Sequence, residues 1–400
     1  LDRKILVVAG LVLLVLVVFS AFTGGMFLGK VLEQQRAEKY AQELPSAQKV
    51  QEVLQIIDHA YVEPVSDRKL INGAVEGMLK ALDDPYTHYL DAKHTSAFEE
   101  EMSGHFDGVG LMLSEDKSRN GLVVAPMEGA PAEKAGVKLN DVIVKIGKQS
   151  TKDMGSDKAV KLIRGKRGTQ VTLTMRREGA KDLLVFKLTR EQITIPNVVE
   201  KKLNGNIGYI RLYQFNESTT ADIKKHYNSL KSQGVKGLIL DLRHNPGGIL
   251  TEAVSTASLW IPSGPVVKIQ NRNGDIDSKN AEGGADAKMP IVVLINKGSA
   301  SASEILSGAL QDYGRAVIVG ETSFGKACVQ TVIKLEDGST ILLTTDKYLT
   351  PKGRMIQKKG IKPDVVVKFD HKNPKDNQLQ KAIEVMNDVI SGKRKLKLAS

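Results

Sequence analysis

From Ile207 onward the chain alternates short apolar runs with longer stretches in which apolar residues recur at helical spacing. The runs are Ile207 to Leu212, Gly237 to Leu242, Val266 to Ile269, Ile291 to Ile295 and Ala316 to Val319. Between them lie Thr220 to Ser232, Ile249 to Leu259 and Ser303 to Gln311. Strands and helices in alternation predict an α/β domain with a largely parallel sheet. The hydrophilic stretch from Asn271 to Lys288 interrupts the pattern as an exposed hairpin or loop, and a helix near Leu379 to Ile390 closes it.

From His105 to about Arg190 the pattern is different. Short β-rich runs (Val109 to Leu113, Leu122 to Ala125, Asp141 to Ile146, Val171 to Arg176, Leu183 to Leu188) are separated by glycine turns. Two helix signals fall among them, Ala130 to Gly136 and Asp157 to Ile163, with Pro131 suited to a first turn and Gly136 to a C-cap. This reads as a compact β-domain with two helices. Upstream, Val53, Leu54, Ile57, then Leu70, Ala74, Met78 and Leu82 give two amphipathic helices, the second stopped by Asp83-Asp84-Pro85. Their apolar faces must be buried on the protein or on a second copy of it.

Residues Ile5 to Leu28 are almost wholly apolar and follow Arg3 and Lys4. The run is long enough to span a bilayer and lacks a convincing cleavage site, so it reads as an uncleaved signal anchor. The positive pair predicts a cytoplasmic N-terminus, with everything after Lys30 on the outer side. Residues 30 to 50 read as a polar stalk. Four hundred residues with 41% hydrophobic content suit two or three domains. The single cysteine, Cys328, excludes an internal disulfide, and no Cys/His cluster has zinc-ligand spacing. The charge of +11 is spread along the chain and densest at Lys393, Arg394, Lys395 and Lys397, while aromatic content is 5%. That is a solvated surface rather than a nucleic-acid face; an anionic lipid surface is the better-matched partner.

Three segments carry chemistry. Asn296-Lys297-Gly298-Ser299-Ala300-Ser301-Ala302-Ser303-Glu304 lies between a strand and a helix. Such a turn exposes a side chain at the sheet's edge, and the helix start offers N–H groups to an oxyanion. Taken alone, Ser301 with Glu304 also fits an ordinary capping box. Gly320-Glu321-Thr322-Ser323-Phe324-Gly325-Lys326-Ala327 nearly matches a phosphate loop, but Ala327 has no hydroxyl and β-rich residues follow. A lysine entering an apolar strand is instead placed for burial, which lowers its pKa toward the range of a proton acceptor. Gln330 shares its face on a regular strand and could hold the amine. Asp241-Leu242-Arg243-His244-Asn245-Pro246-Gly247-Gly248 presents two glycines after a strand, whose N–H groups suit an oxyanion hole. A Ser-His-Asp triad through His244 and Asp241 lacks the G-x-S-x-G elbow.

Together, Gly298 to Glu304, Phe324-Gly-Lys326 with Gln330, and Asp241-Leu-Arg-x-Asn-Pro-Gly-Gly248 resemble the carboxyl-terminal processing peptidases. The β-domain resembles that family's PDZ domain: Phe106-Asp-Gly-Val-Gly-Leu111 matches its carboxylate-binding loop, and Ala130 to Gly136 its first helix. The resemblance implies Ser301 as nucleophile, Lys326 as base and Gln330 as the residue orienting it. It implies an oxyanion hole from Gly247 and Ala302, with Gly248 and the acidic position Asp312 in support. Gly108, Val109, Gly110 and Leu111 would bind peptide C-termini.

It further implies a crotonase-like α/β fold, no metal and no ATP. The organisation expected is an anchor over 1–30, a stalk and helical region over 31–104, and the PDZ domain over 105–190. The peptidase domain would cover 191–370, and a C-terminal helix with a basic tail 371–400. The expected setting is the bacterial cell envelope, with a single membrane span and catalytic domains outside the cytoplasm. The expected partners are protein C-termini, a second copy of the chain and a regulatory adaptor. His244, Ala327 and Cys328 depart from the family's usual residues, and the glycines make the departure at 244 of little weight. The competing reading is an anchored PDZ scaffold with an inactive peptidase domain; a crotonase-like acyl-CoA enzyme fits only the α/β core. Arg164 reads as a solvated arginine, with an inter-domain contact as the alternative.

Overall fold

In a computed structural model of the chain, the described residues are 45–400 apart from 117–120, 153, 371, 373–374 and 397–400. The expected anchor and the stalk up to residue 44 lie outside them. Among the described residues no helix is long and apolar enough to cross a membrane.

Residues up to Tyr89 form one unit, which contains α1 (Pro45–Ala60) and α2 (Asp67–Lys80). Both expected amphipathic helices are present, yet none of residues 48–80 is buried. Val53, Ile56 and Met78 are 47%, 56% and 60% exposed, so the apolar faces stand open.

The second unit begins at Leu90. Helix α3 (Ala92–Ser103) is capped by Asp91, whose side chain accepts from His94 N–H, and ends on Gly104 at φ 72°. Strand β1 (His105–Gly108) leads into an antiparallel sheet with strand order β2 (Leu111–Asp116), β3 (Gly121–Pro126), β4 (Val142–Ile146), β5 (Gln170–Arg176), β6 (Leu184–Thr189). Helices α4 (Pro131–Lys134) and α5 (Ser156–Ile163) accompany it, and Leu122, Ile143, Leu173 and Met175 form its core. Strand β7 (Glu191–Thr194) returns antiparallel to β1, pairing Thr194 with His105. The β-domain is therefore carried on a two-stranded stem.

The α/β part has a six-stranded sheet with the order β8 (Val198–Leu203), β9 (Ile207–Leu212), β10 (Gly237–Asp241), β13 (Ile291–Ile295), β14 (Ala316–Gly320), β17 (Val365–Val366). The β8–β9 pair is antiparallel and the other pairings are parallel, as the alternation predicts. All five residues of β13 are fully buried because both faces of the sheet are covered. One face packs on α6 (Thr219–Ser232), α7 (Leu250–Ser258) and α8 (Ala302–Asp312). The other packs on α9 (Asn377–Ile390) through Ala382, Val385 and Met386. A separate antiparallel sheet joins β11 (Pro265–Gln270) to β12 (Ile276–Asn280) and to β16 (Thr340–Leu349), which also pairs with β15 (Cys328–Lys334). The hydrophilic stretch after β11 is thus a hairpin.

At the end of β10 the chain buries charge. Arg243 donates to both oxygens of Asp241 and to Asp376, the N-cap of α9, while Tyr209 Oη donates to Asp241 at 2.8 Å. Burial alone would raise the Asp376 carboxyl, but Arg243 and the capping N–H of Leu379 hold it below its ordinary value. A carboxylate depressed on folding gives stability that is present above its unfolded pKa of about 3.9 and is lost as pH falls through the lower folded value. Replacing Arg243 by Met strands two carboxylates and should cost about 3–5 kcal/mol in urea unfolding at neutral pH, with a smaller deficit in acid.

Candidate active site

Ser301 stands between β13 and α8, at φ 52° and ψ −114°. This is a costly conformation for a residue with a side chain, on the order of 1–3 kcal/mol, and it persists where neighbours enforce it. Glu304, one turn into α8 and fully buried, does so. Its Oε2 accepts from the backbone N–H of Ser301 and from that of Lys326, both at 2.9 Å. Its Oε1 accepts from Ser323 Oγ at 2.5 Å and Gly325 N–H at 2.7 Å. Burial pushes the Glu304 carboxyl up, and the four donors pull against that. On the other side, the buried Tyr348 hydroxyl donates to the Lys326 carbonyl and lies 3.2 Å from the Ser301 carbonyl. One carboxylate and one phenol thus fix both backbones.

Lys326 Nζ donates to Gln330 Oε1 at 2.5 Å. The expected reason was a shared face of a regular strand, but β15 begins only at Cys328 and shifts register between Val329 and Gln330. The pair meets across that irregularity. Ala327 is wholly buried and donates its N–H to Gln357 Oε1 at 2.6 Å.

The loop after β10 completes the arrangement. A side chain on Gly247 would reach 2.7 Å from Ser301 Cβ and 2.9 Å from Ala302 N, and one on Gly248 would reach 2.0 Å from Phe215 O. Both positions need glycine for this approach. The Gly247 N–H donates to Asn245 Oδ1 at 2.9 Å. Among the described residues, neither the Gly248 N–H nor the Ala302 N–H has a protein acceptor. Ser301, Lys326, Gln330, Gly247 and Gly248 line one cavity of about 490 Å³. Its remaining wall is largely apolar, with Ile249, Leu250, Val329 and Leu342 beside Phe98 and Met102 of α3. Cys328 lines it too.

Other expected positions lie elsewhere. Asp312 is not among the cavity's lining residues; its carboxylate pairs with Arg354 at 2.6 Å and accepts from Lys352 N–H at 2.9 Å. Asp241 is committed to Arg243 and Tyr209, and His244 to Asn296, so they form no triad with Ser301. In the β-domain, Gly108, Val109, Gly110 and Leu111 form the turn from β1 into β2, which lies at the edge of its sheet. Gly110 has φ 69°, and a side chain there would reach 2.2 Å from Ala130 Cβ. Arg164, expected in solvent, donates to Glu100 of α3 and covers the Phe106 ring at 4.5 Å.

Glu304, Tyr348 and the α3 wall were not read from the sequence as parts of the site. The only signal for Glu304 was the capping spacing, which the structure puts to a further use. Tyr348 sits in a β-rich run whose pairing the sequence does not specify, and α3 shows just Phe98 and Met102 at helical spacing.

Comparison with known proteins places these features. A family model described as "Peptidase family S41" matches residues 206–367, one described as "PDZ domain" matches 122–177, and one described as "Activating protease CtpB N-terminal domain" matches 20–94. The carboxy-terminal processing protease CtpA of Bacillus subtilis is 40% identical over 79% of this chain and 68% of its own length. CtpB of the same organism is 38% identical over 80% of this chain and 67% of that relative. A probable CtpA-like serine protease of Staphylococcus aureus is 41% identical over 80% of this chain, which spans 64% of it. On this similarity the chain belongs to the carboxy-terminal processing serine proteases of peptidase family S41.

Proposed function

We propose that this peptidase cuts polypeptides near their C-termini with Ser301 as nucleophile and Lys326 as general base. The observation that carries the reading is the joint suspension of the two backbones from Glu304 Oε2, beside a cavity both residues line. Ser301 Oγ attacks the scissile carbonyl carbon while neutral Lys326 Nζ takes its proton. Gln330 Oε1, accepting from Nζ, aims the amine's lone pair. The negative oxygen of the tetrahedral intermediate is met by the N–H groups of Ala302 and Gly248, with Gly247 available if Asn245 releases it. The C–N bond breaks as the lysine ammonium protonates the leaving amine; a water then gives its proton to the neutral Lys326 amine and attacks the acyl carbon, and Lys326 returns that proton to Ser301 Oγ as the ester bond breaks.

In the same reading, the β-domain captures a substrate's C-terminus as an added strand on β2, with the carboxylate at the Gly108–Leu111 turn. Capture and cleavage need no nucleotide. The α/β part is crotonase-like, and Ile5 to Leu28 anchors the chain in the membrane of a bacterial envelope with the catalytic part outside. Against the inactive-scaffold alternative, the Ala327 methyl is packed away from the cavity and its N–H is held by Gln357, while Cys328, the other residue on which that alternative rests, lines the cavity.

Ser301→Ala and Lys326→Ala should each lower kcat on an unstructured protein by at least about a thousandfold, without ATP in the assay, and leave binding of a tail peptide intact. Lys326→Arg should be equally inactive, because a guanidinium stays protonated at every usable pH. Cleavage by Ser301→Ala at the wild-type rate would remove the assignment.

The open apolar faces of α1 and α2 support self-association through these helices. Sedimentation should show the full chain as a dimer. Ile56→Glu with Met78→Glu should shift it to monomer, and an unchanged sedimentation coefficient would refute the assignment of this surface.

A further inference from the structure

The loop after β10 and the loop after β13 carry the two halves of the proposed oxyanion site, and a side-chain amide laces them together. Asn296 Oδ1 accepts from the backbone N–H of His244 at 2.9 Å and of Gly298 at 3.0 Å. Those two bonds fix which way the amide faces. Its Nδ2 is therefore a donor, and it lies 2.8 Å from His244 Nε2. A donor there requires an acceptor, so the network assigns a neutral imidazole with its proton on Nδ1. Turning the amide over to suit an imidazolium would set Nδ2 against two N–H groups, breaking two bonds to keep one.

The position of this bond gives it leverage. His244 is at φ 60°, and Asn245, Pro246, Gly247 and Gly248 follow it directly. Gly298 lies so close beneath it that a side chain there would reach 2.9 Å from His244 Cα. On the other strand of the lacing, Asn296 N–H donates to Ser299 Oγ at 3.0 Å, and Ser301 follows two residues later. Two further bonds join the loops, Ser299 Oγ to Leu242 O at 2.7 Å and Ala300 N–H to Asn245 O at 3.0 Å. The imidazole itself is exposed and lines a second cavity of about 500 Å³. The charged groups facing that cavity are Arg211, Arg243, Lys297, Glu321 and Asp376.

We infer that His244 is a positioning residue for the reaction: its neutral ring, accepting on Nε2 from Asn296 Nδ2, holds the Gly248 loop in register with Ser301 and Ala302. This rests on the Ser301–Lys326 reading, and it gives weight to a position that the sequence pattern had passed over. Loss of the acceptor at Nε2 removes one of these four ties between the loops, while the bonds from His244 N–H to Asn296, Ser299 Oγ to Leu242 and Ala300 N–H to Asn245 persist. The expected loss is therefore partial, roughly threefold to tenfold in kcat, the range of one hydrogen bond.

The test compares the full chain with His244→Gln, whose amide oxygen stands in for Nε2, and with His244→Ala, which offers no acceptor. At one fixed pH, kcat of His244→Ala should fall roughly threefold to tenfold below wild type while His244→Gln stays near it, and KM should carry little of either change. His244→Ala at the wild-type rate, or His244→Gln as slow as His244→Ala, overturns the inference. A second readout needs no activity: ¹⁵N imidazole resonances of the Ser301→Ala chain at about pH 8 should report His244 with Nδ1 protonated and Nε2 bare. The opposite tautomer also overturns it, whereas inactivity of the wild type with the expected tautomer would count against the Ser301–Lys326 reading alone.

Discussion

The site depends on one buried carboxylate oxygen with two backbone donors. Glu304 Oε2 receives the N–H groups of Ser301 and Lys326, residues from opposite ends of the helix–strand unit α8–β14. A carboxylate in this setting has lost its water, and the loss is tolerable only because four donors replace it. The same bonds keep Ser301 in its unfavourable backbone conformation. Burial of one acid thereby does the positioning that two flexible side chains could not do for themselves.

The parallel sheet supplies the frame for this arrangement. Strands β10 and β13 are neighbours, so the loops leaving their carboxyl ends are adjacent, and these carry Gly247-Gly248 and Ser301 respectively. Clefts outside the carboxyl ends of parallel strands are the usual sites of open α/β sheets. Lys326 comes from different architecture: it precedes an antiparallel strand, and Tyr348 on the paired strand holds its carbonyl. Serine and lysine thus arrive from two sheets, which is why the tie through Glu304 matters.

Local pattern made much of the fold legible. The runs at Ile207, Gly237, Ile291 and Ala316 are strands because β-branched residues fill a sheet covered on both faces, and the helices between them follow from apolar spacing. What local pattern cannot show is which distant group answers a polar side chain. Glu304 looked like a cap because its nearest donor is three residues away; its other donors are about twenty residues along the chain. Asp312 looked available because Arg354 is forty-two residues distant in sequence. Gly247 and Gly248 were recognisable as a pair of unobstructed N–H groups, but only coordinates show that Asn245 occupies one of them.

The two-stranded stem formed by β1 and β7 has a consequence for the architecture as a whole. Because His105 and Thr194 are paired neighbours, everything between the strands leaves and re-enters the peptidase part at nearly the same point. The intervening segment has its own core of Leu122, Ile143, Leu173 and Met175. Such a segment is exchangeable: a different recognition module with closely spaced ends could be grafted onto the same stem. The cutting machinery would then acquire a new choice of target without any change to the strands that build it.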